Sequence, residues 1–283
     1  MRGIILSGGN GTRLYPITKA LTKQLIPVYD KPMIYYPLST LMEFNIKDIL
    51  IIVKPDDLKQ FKSLLGNGEQ FGIKIYYKTQ IEPKGIAESF LIGKKFIGNN
   101  NVCLILGDNI FHGIPYNTIL PKNSDFEGAK IILYRVQDPE RYGVVKFNKK
   151  RKIIKIIEKP KNFISNYAVT GIYFYDKNVI KYANKLKPSN RNELEITDIN
   201  NYYVDEKKLD YFTIKPGGVW LDAGTEKSLL QSSTFIQTMQ ERQNIQISSP
   251  EIIAYKKGWI TKKKLINSIS DIKNAYTSFL RNL

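Results

Sequence analysis

At 283 residues and 42% hydrophobic content the chain can bury a sizeable core, and with no apolar run near the ~20 residues that span a bilayer, and Gly3–Leu6 too short for a secretion signal, a cytoplasmic protein without membrane contact is expected. Cys103 and His112 are the only residues of their kinds, which excludes an intrachain disulfide, a thiolate metal cluster and any Ser-His-Asp arrangement not built on that histidine, so chemistry must rest on carboxylates, Lys, Arg and metal. The 43 Lys and Arg against 26 Asp and Glu, a formal +17, would suit a nucleic-acid partner if gathered on one face, but they are scattered among Ile, Asn and Tyr with only short clusters at 149–152 and 262–264, and read as solvated surface.

Met1–Leu6 reads as a short buried strand, and Ser7-Gly8-Gly9-Asn10-Gly11-Thr12-Arg13-Leu14 as a glycine-rich loop ending in a cation. Residues without Cβ let several backbone N–H groups approach one anion, and Arg13 and Lys23 add fixed positive charge, so the stretch suits a polyphosphate. It is neither of two familiar phosphate loops. Leu14 stands where the dinucleotide fingerprint needs its third glycine, and the G-K-[S/T] of a P-loop is absent. The pattern GGxGTRL, followed by Thr22-Lys23-Gln24-Leu25-Ile26-Pro27-Val28, resembles the sugar-nucleotide pyrophosphorylases, which join a nucleoside triphosphate to a sugar 1-phosphate. Tyr29-Asp30-Lys31-Pro32-Met33-Ile34-Tyr35-Tyr36-Pro37-Leu38-Ser39-Thr40-Leu41 is similar to their thymidylyl branch.

Asp30 and Pro32 suggest the N-cap and first turn of a helix running to about Phe44. Ile49–Val53 is continuously apolar, as expected for a strand covered on both faces. A helix near Asp56–Leu65, a strand at Ile73–Lys78, a helix at Ile86–Phe96 and a strand at Val102–Leu106 continue the rhythm. Strands alternating with helices imply an α/β fold, a Rossmann-like doubly wound sheet with ligands beyond the carboxyl ends of its strands. Gln80–Glu88 contains an amide and a glycine before a helix, a surface loop or an edge-reader for a nucleobase; the resemblance makes Gln80 and Gly85 candidates against the base. Asp108, after Gly107 at the end of a buried strand, is placed either to hold Mg²⁺ against phosphates or to cap a helix. His112 is a metal ligand or a packing residue beside Phe111.

After Gly128 come strand-like stretches at Ala129–Arg135, Gly143–Phe147, Ile153–Glu158 and Val169–Tyr175, which extend the sheet with mixed or antiparallel strands. Asp138–Val144, Glu158-Lys159-Pro160, Val169–Tyr173 and Arg191–Asp198 each resemble segments that line the family's sugar-1-phosphate pocket. The resemblance implies that Glu158 accepts sugar hydroxyls, that Lys159 holds a phosphate, and that Asn109, Tyr142, Gly143, Val169 and Arg191 line that pocket. Neutral sugars call for carboxylates and amides, and a phosphate for a cation. Val219–Thr225 carries Asp222 before a Gly-Thr turn and a helix at Glu226–Arg242, and the resemblance makes it the partner of Asp108 on Mg²⁺. Ala223 and Ser7 depart from the commoner threonine and alanine without removing a ligand or a charge. Beyond Gln243, Trp259 and the apolar positions of Leu265–Leu280 suggest short helices packed on the core.

The expected organisation is a nucleotidyltransferase core over 1–243, with a nucleotide half to about 128 and a sugar half from 129, and a small C-terminal helical extension over 244–283. Gly8, Gly9, Gly11, Thr12, Arg13, Lys23, Gln24, Gln80, Gly85 and Asp108 are expected at the nucleotide, with Arg13, Lys23 and Lys159 catalytic and no general base needed, since the attacking phosphate is already ionised. The resemblance implies dTTP and α-D-glucose 1-phosphate as substrates, dTDP-glucose as product, a homotetramer and a place in dTDP-L-rhamnose synthesis. The same chemistry with UTP, and a basic nucleic-acid-binding protein, are the alternatives.

Overall fold

From the N-terminus, β1 (Arg2–Ser7) leads through single 3-10 turns to the two-residue strands β2 (Pro27–Val28) and β3 (Lys31–Pro32). Then come α1 (Tyr35–Glu43), β4 (Asp48–Val53), α2 (Leu58–Leu65), β5 (Lys74–Thr79), α3 (Glu88–Ile92), α4 (Lys94–Ile97), β6 (Val102–Leu106), β7 (Asn109–His112) and α5 (Tyr116–Ile119). The second half holds β8 (Ala129–Arg135), β9 (Gly143–Phe147), β10 (Ile153–Glu158), β11 (Tyr167–Tyr175), α6 (Val179–Ala183), α7 (Ile196–Asp205), β12 (Leu209–Thr213), β13 (Val219–Asp222) and α8 (Glu226–Gln243). Three short helices follow, α9 (Pro250–Lys256), α10 (Lys262–Asn267) and α11 (Ala275–Arg281). The computed structural model describes residues 1–120 and 126–283.

Among the described residues nine strands form one sheet, in the order β10-β9-β11-β6-β1-β4-β5, with β8 paired to β11 and β12 to β8. The β6-β1-β4-β5 centre is parallel, and β11 runs antiparallel to β6, which gives the mixed α/β sheet expected. Side chains of a strand alternate between faces, so an unbroken apolar run implies cover on both. That is the case here: Ile5, Ile49, Ile51 and Val53 face a core shared with α1, α2 and α9, whereas Ile4, Leu50 and Ile52 face one shared with α3, α6 and α7.

Several local expectations are corrected. Asp30 does not cap α1, which starts at Tyr35 after Ile34. Tyr29 takes a left-handed φ of 61° between β2 and β3, and Pro32 pairs with Pro27 instead of opening a helix. Asp30 binds Lys31 Nζ at 2.5 Å and Gln240 Nε2 at 2.9 Å, tying this hairpin to α8. The helix expected over Ile86–Phe96 breaks at Gly93 into α3 and α4. Asp108 caps no helix either, because the chain continues straight into β7. β7 pairs with β13 so that Asn109 faces Asp222, and the Ala223 N–H donates to the Asp108 carbonyl at 3.0 Å. This small hairpin-like ladder brings two aspartates more than a hundred positions apart to one place.

The tail is held by the first core, which includes Ile252, Ile253, Ala254, Leu265 and Leu280. Trp259 lies under Lys47 Nζ at 4.6 Å, and Lys257 Nζ donates to the Glu43 carbonyl at 3.1 Å. No helix among the described residues is long and apolar enough to cross a membrane.

Candidate active site

The glycine-rich loop leaves the carboxyl end of β1, an inner strand of the sheet paired with β6 on one side and β4 on the other. Gly11 sits at φ 62°, and a Cβ there would also lie 2.9 Å from Thr18 Cγ2, so geometry and space both require glycine. The next residues, Thr12–Leu14, form one 3-10 turn that buries Leu14 and leaves Arg13 lying over Gly224. Gly9, Gly11, Thr12, Arg13, Lys23 and Gln24 line a cavity of about 290 Å³ together with Asp108. Gly8 and Gln80 line neither this cavity nor the larger one beside it; they pack against each other at its edge. Gly85 packs its φ 102° backbone on that of Leu194, next to Ile86 of the larger cavity.

That larger cavity, about 620 Å³, gathers Asn109, Tyr142, Gly143, Glu158, Lys159, Val169 and Arg191, and Asp222 with them. Arg13 and Asp108 line both cavities, so they stand at the junction. The walls come from strand ends: β9 supplies Gly143, β10 supplies Glu158, and Lys159 follows it with a left-handed φ of 42°. The Lys159 N–H donates to the Tyr142 carbonyl at 3.0 Å, which holds that turn against the start of β9. Glu158 Oε2 accepts from Thr197 Oγ1 at 2.6 Å, so one carboxylate oxygen is oriented from α7. Arg191 is anchored by Glu193 at 2.7 Å and Glu195 at 3.0 Å, and approaches Glu158 at 3.9 Å.

The two aspartates differ in electrostatic setting. Asp108 bonds Lys23 Nζ through Oδ2 and accepts from Asn109 Nδ2 through Oδ1 at 2.8 Å. Burial would raise its carboxyl, but the Lys23 ammonium and these hydrogen bonds outweigh it and hold the group below the ordinary carboxylate range. Asp222 is pushed above that range, by burial first and by the charge of Asp108, against the opposing pull of Arg141 and Arg13. Arg141 binds Asp222 at 3.0 Å and Asp138 at 2.6 Å. Two carboxylates thus neighbour each other, each already met by a cation, Asp108 by Lys23 and Asp222 by Arg141. Hard oxygen donors of this kind suit Mg²⁺, which keeps water and phosphate among its ligands and needs only one or two carboxylates from the protein. Among the described residues no group of three or more His, Cys, Asp and Glu is arranged so that it could hold a metal ion.

Asn109, expected at the sugar phosphate, does line the cavity, but its amide is largely committed. Oδ1 accepts from the Trp220 indole N–H at 2.6 Å and the Gly171 N–H at 3.1 Å, which turns Nδ2 toward Asp108. His112 lies off both cavities, edge-on to Phe235 at 6.0 Å, and burial lowers its imidazole pKa; it packs. Arg141, Thr197 and Trp220 were not singled out from sequence as site residues, although each falls in a stretch that was. Which side chains of those stretches turn inward depends on strand register and on the β7–β13 pairing, which residue order does not show.

A parallel-centred sheet with a glycine loop over one of its inner strands, one aspartate at a cavity junction and a second close by, and a second pocket lined by cations and carboxylates define a nucleotidyltransferase. The chain belongs to the nucleotidyl transferase family, whose model it matches over residues 2–239. It is similar to glucose-1-phosphate thymidylyltransferases from Neisseria meningitidis serogroup A (49% identity, covering 100% of this chain and 99% of that one) and Xanthomonas campestris pv. campestris strain B100 (51%, covering 100% and 96%). A crystal structure from Bacillus anthracis, assigned to the same enzyme and holding sucrose, superposes with a TM-score of 0.77 at 46% identity, covering 83% of this chain and 94% of that one. A UDP-glucose pyrophosphorylase complexed with UDP-glucose shares the fold at 23% identity, with a TM-score of 0.73 and coverage of 84% and 98%.

Proposed function

We propose that the protein transfers a thymidylyl group from dTTP to α-D-glucose 1-phosphate, forming dTDP-glucose and pyrophosphate. The observation that carries the reading is the junction itself: Arg13 and Asp108 border both the glycine-loop cavity and the cavity holding Glu158, Lys159 and Arg191. A triphosphate in the first and a sugar phosphate in the second would meet there. The names of the full-length relatives at 46–51% identity support the choice of substrates.

The chemistry needs positioning more than proton transfer. A sugar phosphate oxygen attacks the α-phosphorus of dTTP, the bond to the bridging oxygen breaks, and pyrophosphate leaves with that electron pair. Lys159 orients the nucleophilic phosphate, Glu158 takes sugar hydroxyls on Oε1, the oxygen that Thr197 leaves open and Arg191 approaches at 3.9 Å, and Arg13 and Lys23 meet charge on the α-phosphate and leaving group. Asp108 and Asp222 would hold Mg²⁺, which when bound supplies further charge stabilisation to the phosphates. The glycine loop contributes backbone N–H donors to the phosphates.

Pyrophosphate release is to be followed with glucose 1-phosphate and each of dTTP, UTP, ATP and CTP. The expected result is the highest kcat/KM with dTTP. Release from none of them would sink the reading, and a clear preference for UTP would move it to the uridylyl branch. We also read the protein as a cytoplasmic homotetramer whose product enters dTDP-L-rhamnose synthesis, on the strength of the sequence resemblance. Light scattering should then give four times the 32.6 kDa chain mass, and a monomer mass would exclude it.

A further inference from the structure

Gln80 follows β5 and is buried, with its backbone N–H on the Val53 carbonyl at 2.8 Å. It is thereby pinned where β4 and β5 end, beside the glycine loop. A Cβ on Gly8 would collide with Gln80 Oε1, so the amide oxygen lies against the first glycine of that loop. At the other end of the amide, Nε2 donates to Glu88 Oε2 at 2.6 Å, and the same oxygen accepts the Lys84 N–H at 3.2 Å. A carboxylate accepts hydrogen bonds and donates none, so Glu88 decides which end of the amide faces it. The end left on the loop side is an acceptor, and none of the hydrogen bonds among the described residues ends on it.

We infer that Glu88 is a positioning residue that sets the base preference of the nucleotide site. By holding Nε2, it presents Gln80 Oε1 as an acceptor for the N3–H of a thymine or uracil ring, and sets that oxygen against the lone pair cytosine carries at N3. Turned the other way, the amide would offer a donor and favour cytosine. The inference rests on the nucleotide site proposed above and deepens it. Thymine and uracil share N3–H, so Glu88 separates this pair from cytosine and does not choose between them. Glu88 also lies in the first turn of α3, where an acidic side chain is favourable, but that role would leave base selection untouched.

The test compares kcat/KM for dTTP and CTP, each with glucose 1-phosphate, in the parent, Glu88→Met and Glu88→Gln. Methionine keeps the length and removes the acceptor, whereas glutamine can still turn a carbonyl oxygen to Gln80 and Lys84. The dTTP-to-CTP ratio should fall at least ~10-fold in Glu88→Met, the scale of an unpaired or opposed polar group, and stay within about threefold of the parent in Glu88→Gln. An unchanged ratio in Glu88→Met overturns the inference, as does an equal fall in both variants. Loss of fold would lower both substrates together and leave the ratio alone, so a ratio is read even from a weakened variant. A parent enzyme that releases no pyrophosphate from dTTP fails the functional reading itself, and that is seen before any variant is compared.

Discussion

Asp108→Asn is expected to lower kcat at least ~100-fold, and Asp222→Asn to do the same, as weakening a metal that stabilises transition-state charge would. Their effects on stability should diverge. The Asp108 carboxyl is held below the ordinary range in the fold, so its ionised form stabilises above the unfolded pKa, and that contribution is lost only as pH falls through the folded value. Asp108→Asn therefore removes stability at neutral pH and strands the buried Lys23 ammonium. Asp222 is held above its unfolded value, so its ionised form costs stability once pH exceeds that value. Asp222→Asn should accordingly leave Tm at pH 8, in a chelator, no lower than the parent's. Saturating Mg²⁺ with near-parental rates in both variants would show that neither aspartate serves the metal.

Arg13→Ala and Lys159→Ala should fail differently. Arg13 stands at the junction of the two cavities, where charge develops, so its loss is expected to lower kcat by about 100-fold or more. Lys159 lines only the larger cavity, so its loss should raise KM for glucose 1-phosphate at least ~10-fold, with a smaller effect on KM for dTTP. Steady-state kinetics with each substrate varied in turn separates the two. Matching profiles would mean that the cations are not divided between the substrates.

Much of this was legible in residue order, for identifiable reasons. Val102–Leu106 and Ile153–Glu158 could be delimited because apolar or β-branched runs end at glycine or charge, and both match the strands found. The loop at Gly8–Arg13 announced itself through glycine spacing. What could not be read depended on partners distant in sequence. Asp30 looks like a cap until Gln240 of α8 is seen to bind it. That Trp220 and Gly171 hold the amide oxygen of Asn109 is likewise invisible in residue order. Arg141 is the one basic residue of Asp138–Val144, but residue order does not show that it meets Asp222, 81 positions on, at 3.0 Å. Strand β12 escaped notice because Leu209–Thr213 is half-exposed at the sheet's margin and lacks the continuous apolarity of the centre.

Neighbouring residues of a strand point to opposite sides of the sheet, so a carboxylate followed directly by an ammonium would ordinarily serve two different compartments. Glu158 and Lys159 nevertheless border the same cavity. The left-handed backbone at Lys159 makes this possible by rotating the chain out of the alternation one residue after β10 ends. Such a conformation costs an L-residue with a Cβ roughly 1 kcal/mol, and glycine would adopt it freely. Here the fold accepts that strain at a lysine, and one short step of chain thereby turns opposite charges into a single cavity, the arrangement that the proposed sugar phosphate, with hydroxyls at one end and a phosphate at the other, would call for.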